Sequence, residues 1–217
     1  MDRTRIREIV QHVVLQALET PRMVPIAISN RHIHLSSEHV ERLFGPGYQL
    51  HKQKSLSQPN QFAALETVTL IGPKDKIHNV RVLGPARGKT QVEVSLFDGY
   101  TLGIKPPIRN SGDINGSESL TIKGPRGQIT IPEGVISAAR HIHMHTSDSK
   151  RFGVSDGDKV QVKVEGERGL ILSNVLIRVS PNYRLEMHID LDEANAANIQ
   201  NGQLGEMMTI EKSGGCS

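Results

Sequence analysis

Two short segments carry the residue types best suited to chemistry: Arg31-His32-Ile33-His34 and, far downstream, Arg140-His141-Ile142-His143. On a β-strand, alternate residues project to one face, so each His-Ile-His sets two imidazoles side by side and sends the isoleucine to the opposite side. Such a pair is half of a metal site, and two copies in equivalent places of a repeat strengthen that reading. A catalytic zinc takes three nitrogen or carboxylate ligands and keeps one position open, so each pair needs a third donor. Glu93, between Val92 and Val94, and His188, between Met187 and Ile189, are polar where a strand favours an apolar side chain. Each also has a plainer alternative: Glu93 as an outward carboxylate, His188 as a hydrogen-bonded core histidine. His145 extends the second pair to His-x-His-x-His, a direction lost if a helix begins after Met144. His12, His39, His51 and His78 have no partner spacing and read as surface residues.

Anion chemistry has two candidate segments. Gly84-Pro85-Ala86-Arg87-Gly88-Lys89-Thr90 invites a P-loop reading, but only three residues separate Gly84 from Gly88. A P-loop needs four there and must open a helix, whereas a strand follows here. What survives is a Gly-Pro loop presenting Arg87, whose planar fork suits phosphate. The second segment, Arg109-Asn110-Ser111-Gly112-Asp113, combines a guanidinium, a hydroxyl and a glycine. Taken alone, each segment also reads as a solvated loop.

The elements that must hold these residues are mostly strands. From Met23 onward, short β-type runs alternate with Gly, Pro, Asn and Asp: Val24–Ser29, Thr67–Ile71, Val80–Leu83, Gln91–Leu96, Ser119–Ile122, Val160–Val164 and Val175–Val179. Short helices are expected at Ser36–Phe44, Pro132–Ala139, Ser147–Phe152 and Asp192–Ile199. Strands without long alternating helices predict a mainly β protein, not a Rossmann or TIM fold. The repeat extends beyond the histidines. Each copy runs on to Phe-Gly, at 44/45 and 152/153, and a later Gly-Pro or Ser-Pro punctuation precedes the segments holding Glu93 and His188. One β unit has been duplicated. Residues 1–20 differ: Ile6, Ile9, Val10, Val13, Val14 and Leu18 form one face of an amphipathic helix that Pro21 stops. That stripe docks on its own chain or a second copy, or serves as a recruitment helix.

Composition narrows the classes. Of 217 residues, 36% are hydrophobic and only 3% aromatic, so Val, Ile and Leu must fill the interior, which suits two modest cores. Charges of both signs alternate to a net +3 without a basic run, and few aromatics could stack on bases, so nucleic acid is not an expected partner. The single Cys216 sits in a Ser-Gly-Gly-Cys-Ser tail, so neither a disulfide framework nor a cysteine nucleophile is expected. No apolar run reaches the roughly 18 residues of a membrane span and no secretory signal pattern opens the chain. A soluble cytoplasmic protein follows.

With these residues in place, the chain resembles a known family, the phosphate propanoyltransferases (phosphotransacylases) of the propanediol-utilisation type found in bacterial microcompartments. The matching segments are Val24–Leu35, Val82–Arg87, Thr90–Ser95, Arg109–Asp113, Ala139–Met144 and Met187–Asp190. The resemblance implies a two-zinc enzyme built of two small β-barrels related by duplication, with short capping helices. It implies one zinc on His32, His34 and Glu93, a second on His141, His143 and His188, and phosphate or CoA binding by Arg87, Ser111 and Arg109, with Arg87 catalytic. It further implies that the first strand, about residues 21–30, joins 139–212 in one barrel while 31–138 form the other, leaving 213–217 as a tail. Residues 1–20 resemble the peptides that carry such enzymes into a microcompartment through its shell or cargo, and the enzyme is compatible with a homo-oligomer.

The reaction so implied converts acyl-CoA and phosphate into acyl phosphate and CoA. Two other readings use the same residues: a two-metal hydrolase that activates water, and a non-enzymatic zinc-binding cargo module. The amidohydrolase form of the first needs a TIM barrel of about 250 residues. The second has no use for Arg87 beside the metal.

Overall fold

A computed structural model describes residues 5–7 and 21–208 of the chain. Residues 5–7 are helical and exposed; the remainder of the amphipathic segment and the tail at 213–217 lie outside the described residues.

The elements run β1 (Met23–Ser29), β2 (His32–Ser36), α1 (Ser37–Phe44), β3 (Lys52–Ser55), β4 (Phe62–Ile71), β5 (Lys76–Arg87), β6 (Gln91–Glu93), α2 (Leu96–Leu102), β7 (Ile108–Arg109) and β8 (Glu118–Lys123). They continue with β9 (Gln128–Ala138), β10 (His141–Met144), α3 (Thr146–Phe152), β11 (Lys159–Val164), β12 (Leu170–Val179), β13 (Glu186–Asp190), α4 (Leu191–Ala197) and β14 (Leu204–Met208). The strands close into two six-stranded barrels. In the first the order is β4-β5-β2-β6-β9-β8, with β3 and β7 appended. In the second it is β1-β13-β10-β12-β11-β14.

The two rings match strand for strand. β2 pairs in parallel with β5 and antiparallel with β6, and β10 does the same with β12 and β13. β6 then pairs in parallel with β9, as β13 does with β1. Within each repeat the leading strand is therefore given away: β1 completes the second barrel and β9 completes the first. The link that follows each donated strand carries an arginine, which anchors it to the capping helix of the barrel it enters. Arg31 grips Asp98 through two contacts of 2.9 and 2.7 Å, and Arg140 meets Glu193 at 2.6 Å. Both acids also close capping boxes, with Ser95 at the start of α2 and Asp190 at the start of α4.

Each barrel has its own aliphatic core, as the shortage of aromatics requires. The His-x-His strands lie at the heart of both. Ile33 and Ile142 are completely buried, while the histidines on either side face away from the core. Truncating Ile142 to alanine is expected to cost about 2–5 kcal/mol by the usual cavity effect, read as a lowered urea midpoint. A loss under about 1 kcal/mol would show that this strand can collapse around the gap.

Three local expectations are corrected. Pro132–Ala139 is not a helix but the end of β9: Gly134 at φ +129° interrupts the strand's alternation, and Val135 and Ile136 are both buried. The run Gln91–Leu96 is strand only to Glu93, after which Ser95 and Asp98 start α2. Arg87 is not in a loop; β5 continues through it.

Candidate active site

β2 and β6 bring the first group together because their register sets His32 directly opposite Glu93. Donor atoms of His32, His34 and Glu93 all lie within 4.8 Å of one another, and among the described residues this is the only His/Cys/Asp/Glu trio so close. The same register in the second barrel sets His141 opposite His188. There the rings of His141, His143 and His188 sit 4.7–5.2 Å apart, centre to centre.

Backbone carbonyls choose the tautomers of the leading histidines. His32 Nδ1–H donates to Asn30 O and His141 Nδ1–H to Ala139 O, each at 2.9 Å, leaving Nε2 with its lone pair. Other nitrogens are buried and lack any hydrogen-bond partner: His34 Nδ1, His143 Nδ1 and His188 Nε2. Orphaned buried nitrogens are costly unless something binds them; a metal ion at each group would take up those it reaches, and these donors suit one.

His34, His141 and His143 are held neutral. Burial, reinforced by His32 and Arg87, pushes His34 down to about 3. Burial likewise lowers His141 to about 4, and His143 to about 2 with help from His141 and His188. In the unfolded chain these groups titrate near 6.5, so as pH falls below that value the unfolded chain takes up protons that the folded chain refuses. Metal-free stability is thus full above about pH 6.5 and declines towards about pH 3. His143→Gln should flatten the fall in urea midpoint between pH 6.5 and 5, above the carboxylate range; an unchanged slope there would rule this cause out.

Burial raises the carboxyl pKa of Glu93, but His32 and the Ser111 hydrogen bond outweigh it and leave the group below its ordinary value. Its Oε1 accepts from Gln91 Nε2 at 2.6 Å and from Ser111 Oγ–H at 2.8 Å. Gln91 also accepts from the Gly112 amide at 2.8 Å. The Arg109–Asp113 segment is thereby fastened to the metal-type trio.

Both trios open on one cavity of about 700 Å³ lined by residues of both barrels. Arg87 and Ser111 line it too. Arg109 does not, and faces Asp113 at 3.4 Å instead. His145 is turned away as the N-cap of α3 and binds Ser147. His39, His51 and His78 are occupied elsewhere by Thr90, Glu66 and Thr69.

Sequence reasoning missed Arg178 and Tyr183, which line the cavity. Arg178 stands opposite His143 in the register, where the first barrel has Leu83 opposite His34. The Tyr183 ring lies 4.4 Å from that of His143. Carrying the repeat strand by strand beyond the histidines would have exposed the Leu-to-Arg change.

The family model described as phosphate propanoyltransferase matches residues 25–200. Proteins bearing that name are similar over nearly the whole chain. One from Priestia megaterium is 52% identical over 98% of this chain and 99% of its own. Those from Thermotoga maritima and Salmonella typhimurium are 51% and 50% identical, each over 90% of this chain and 95% and 94% of their own. The chain, with its duplicated barrels facing one histidine-rich cavity, belongs to the phosphate propanoyltransferase family, acyltransferases that act on phosphate.

Proposed function

We propose that the protein interconverts acyl-CoA plus phosphate with acyl phosphate plus CoA, that propanoyl is the acyl group, and that two zinc ions serve the reaction. The observation that carries this reading is the convergence on one cavity of the metal-type trio His32, His34 and Glu93, the histidine cluster His141, His143 and His188, and the half-buried Arg87. His32, His34 and Glu93 would hold one zinc, and His141, His143 and His188 the other. When bound, zinc supplies Lewis-acid stabilisation of a leaving thiolate and of negative oxygen.

The chain's own groups account for the rest. Arg87 binds phosphate through its planar fork and orients one oxygen towards the thioester carbonyl. Arg178, on the opposite barrel, adds a second cationic contact. The phosphate oxygen forms its bond to the carbonyl carbon, the carbon–sulfur bond breaks, and CoA departs as thiolate. Ser111 lines the phosphate side while its hydroxyl keeps Glu93 in place. Arg109 stands outside that lining and serves the outer part of the substrates. Attack is direct, so no acyl-enzyme accumulates; trapping one, or ping-pong exchange kinetics, overturns this step. Residues 1–20 act as the segment that recruits the enzyme into a bacterial microcompartment.

The deciding experiment measures CoA thiol release from propanoyl-CoA with and without phosphate, on purified protein of known metal content. Phosphate-dependent release with two zincs per chain is expected. Phosphate-independent release would identify a hydrolase. No release with both metals tightly held would identify a cargo module.

A further inference from the structure

We propose that Glu186 is a positioning residue of the second centre, and that it ties metal binding there to the first barrel. This rests on the two-metal reading above. The two barrels exchange the place of a carboxylate between two pairs of equivalent positions. In the first, the third donor is acidic, Glu93, and the residue opposite His34 is neutral, Gln91. In the second, the third donor is neutral, His188, and the residue opposite His143 is acidic, Glu186. Each centre thus has one carboxylate, supplied from alternate places. An all-imidazole set would leave a divalent cation uncompensated in a cavity that already holds Arg87 and Arg178, and Glu186 supplies the missing negative charge.

The geometry fits an outer role. Glu186 Oε2 lies 2.9 Å from His188 Nε2, close enough to hold that ring in place, but the approach is not in the direction of a hydrogen bond. The carboxylate is gripped from across the interface. Ser57 Oγ–H donates to it, and Gln58 Nε2 lies 3.4 Å from Oε2. Gln58 is buried, and clasps the Arg184 backbone on both sides, donating to its carbonyl at 3.1 Å and accepting from its amide at 3.2 Å. Ser57 and Gln58 belong to the β3–β4 connection of the first barrel, so the second centre is partly assembled by the other half of the molecule.

Zinc titration against a chromophoric chelator, with cobalt(II) absorption as a second readout, tests this on the full chain. The wild type should fill two sites. Glu186→Gln should leave the first step unchanged and weaken the second by about 10- to 100-fold, the usual effect of losing a partner outside the ligand set. The double variant Ser57→Ala/Gln58→Ala, with the carboxylate intact, should weaken the same step by less. Glu93→Gln, which strikes the other step, identifies which is which. A two-step profile in Glu186→Gln identical to the wild type overturns the inference alone, as does equal weakening of both steps, the mark of a merely structural role. Should Glu186→Gln not fold, the double variant decides by the same two criteria. A wild type that binds one metal overturns the two-metal reading and this inference with it.

Discussion

Glu93→Gln should empty the first centre and reduce phosphate-dependent thiol release by about a thousandfold, the scale of several kcal/mol of lost charge stabilisation. The substitution keeps volume and removes only the negative charge. The Gln91 amide and Ser111 hydroxyl that now donate to the carboxylate can still donate to an amide oxygen, so the barrel should fold, and with wild type and variant both stripped of metal the thermal midpoints should differ little. Metal content should fall from two to one per chain. Near-normal turnover with one metal missing would remove the first centre from the reaction.

Arg87→Ala has the second largest expected effect. The guanidinium is largely withdrawn from water, which lowers its pKa despite the opposing pull of Glu93. Two charge-assisted hydrogen bonds to phosphate, at about 1.5–3 kcal/mol each, correspond to a loss of at least about 100-fold in kcat/KM for phosphate. The KM for acyl-CoA should change far less. Arg87→Lys should recover little, because an ammonium ion cannot reproduce the planar fork. An unaltered phosphate KM in Arg87→Ala would transfer the anion-binding role to Arg178.

What the sequence made legible followed from strict periodicity. His-x-His on a strand fixes the direction of both imidazoles whatever the surroundings, and the duplication points to Glu93 and His188 together. What it hid depended on contacts distant along the chain. α2 was concealed because Leu96, Phe97 and Tyr100 prolong the apolar run of β6, although Ser95 and Asp98 already had capping-box spacing. The end of β9 reads as a helix because the positive φ of Gly134 hides its period of two. Glu186 and Gln91 gave no local signal, since their meaning lies in which strand each one faces. Ser111 could be read as a polar loop residue, but its bond to Glu93 spans 18 residues, across α2 and β7.

The exchanged strands also say where the chain can be cut. In the first barrel β8 turns directly into β9, with Lys123 opposite Gln128. In the second, β14 meets β1 in the same antiparallel way, with Glu206 opposite Met23, but no peptide joins them. A circular permutant that links the end of β14 to the start of β1 through a short turn, and opens the chain between Ser29 and Arg31, would restore that missing hairpin. Its two repeats would then be contiguous in the gene, one barrel each but for the shared cavity.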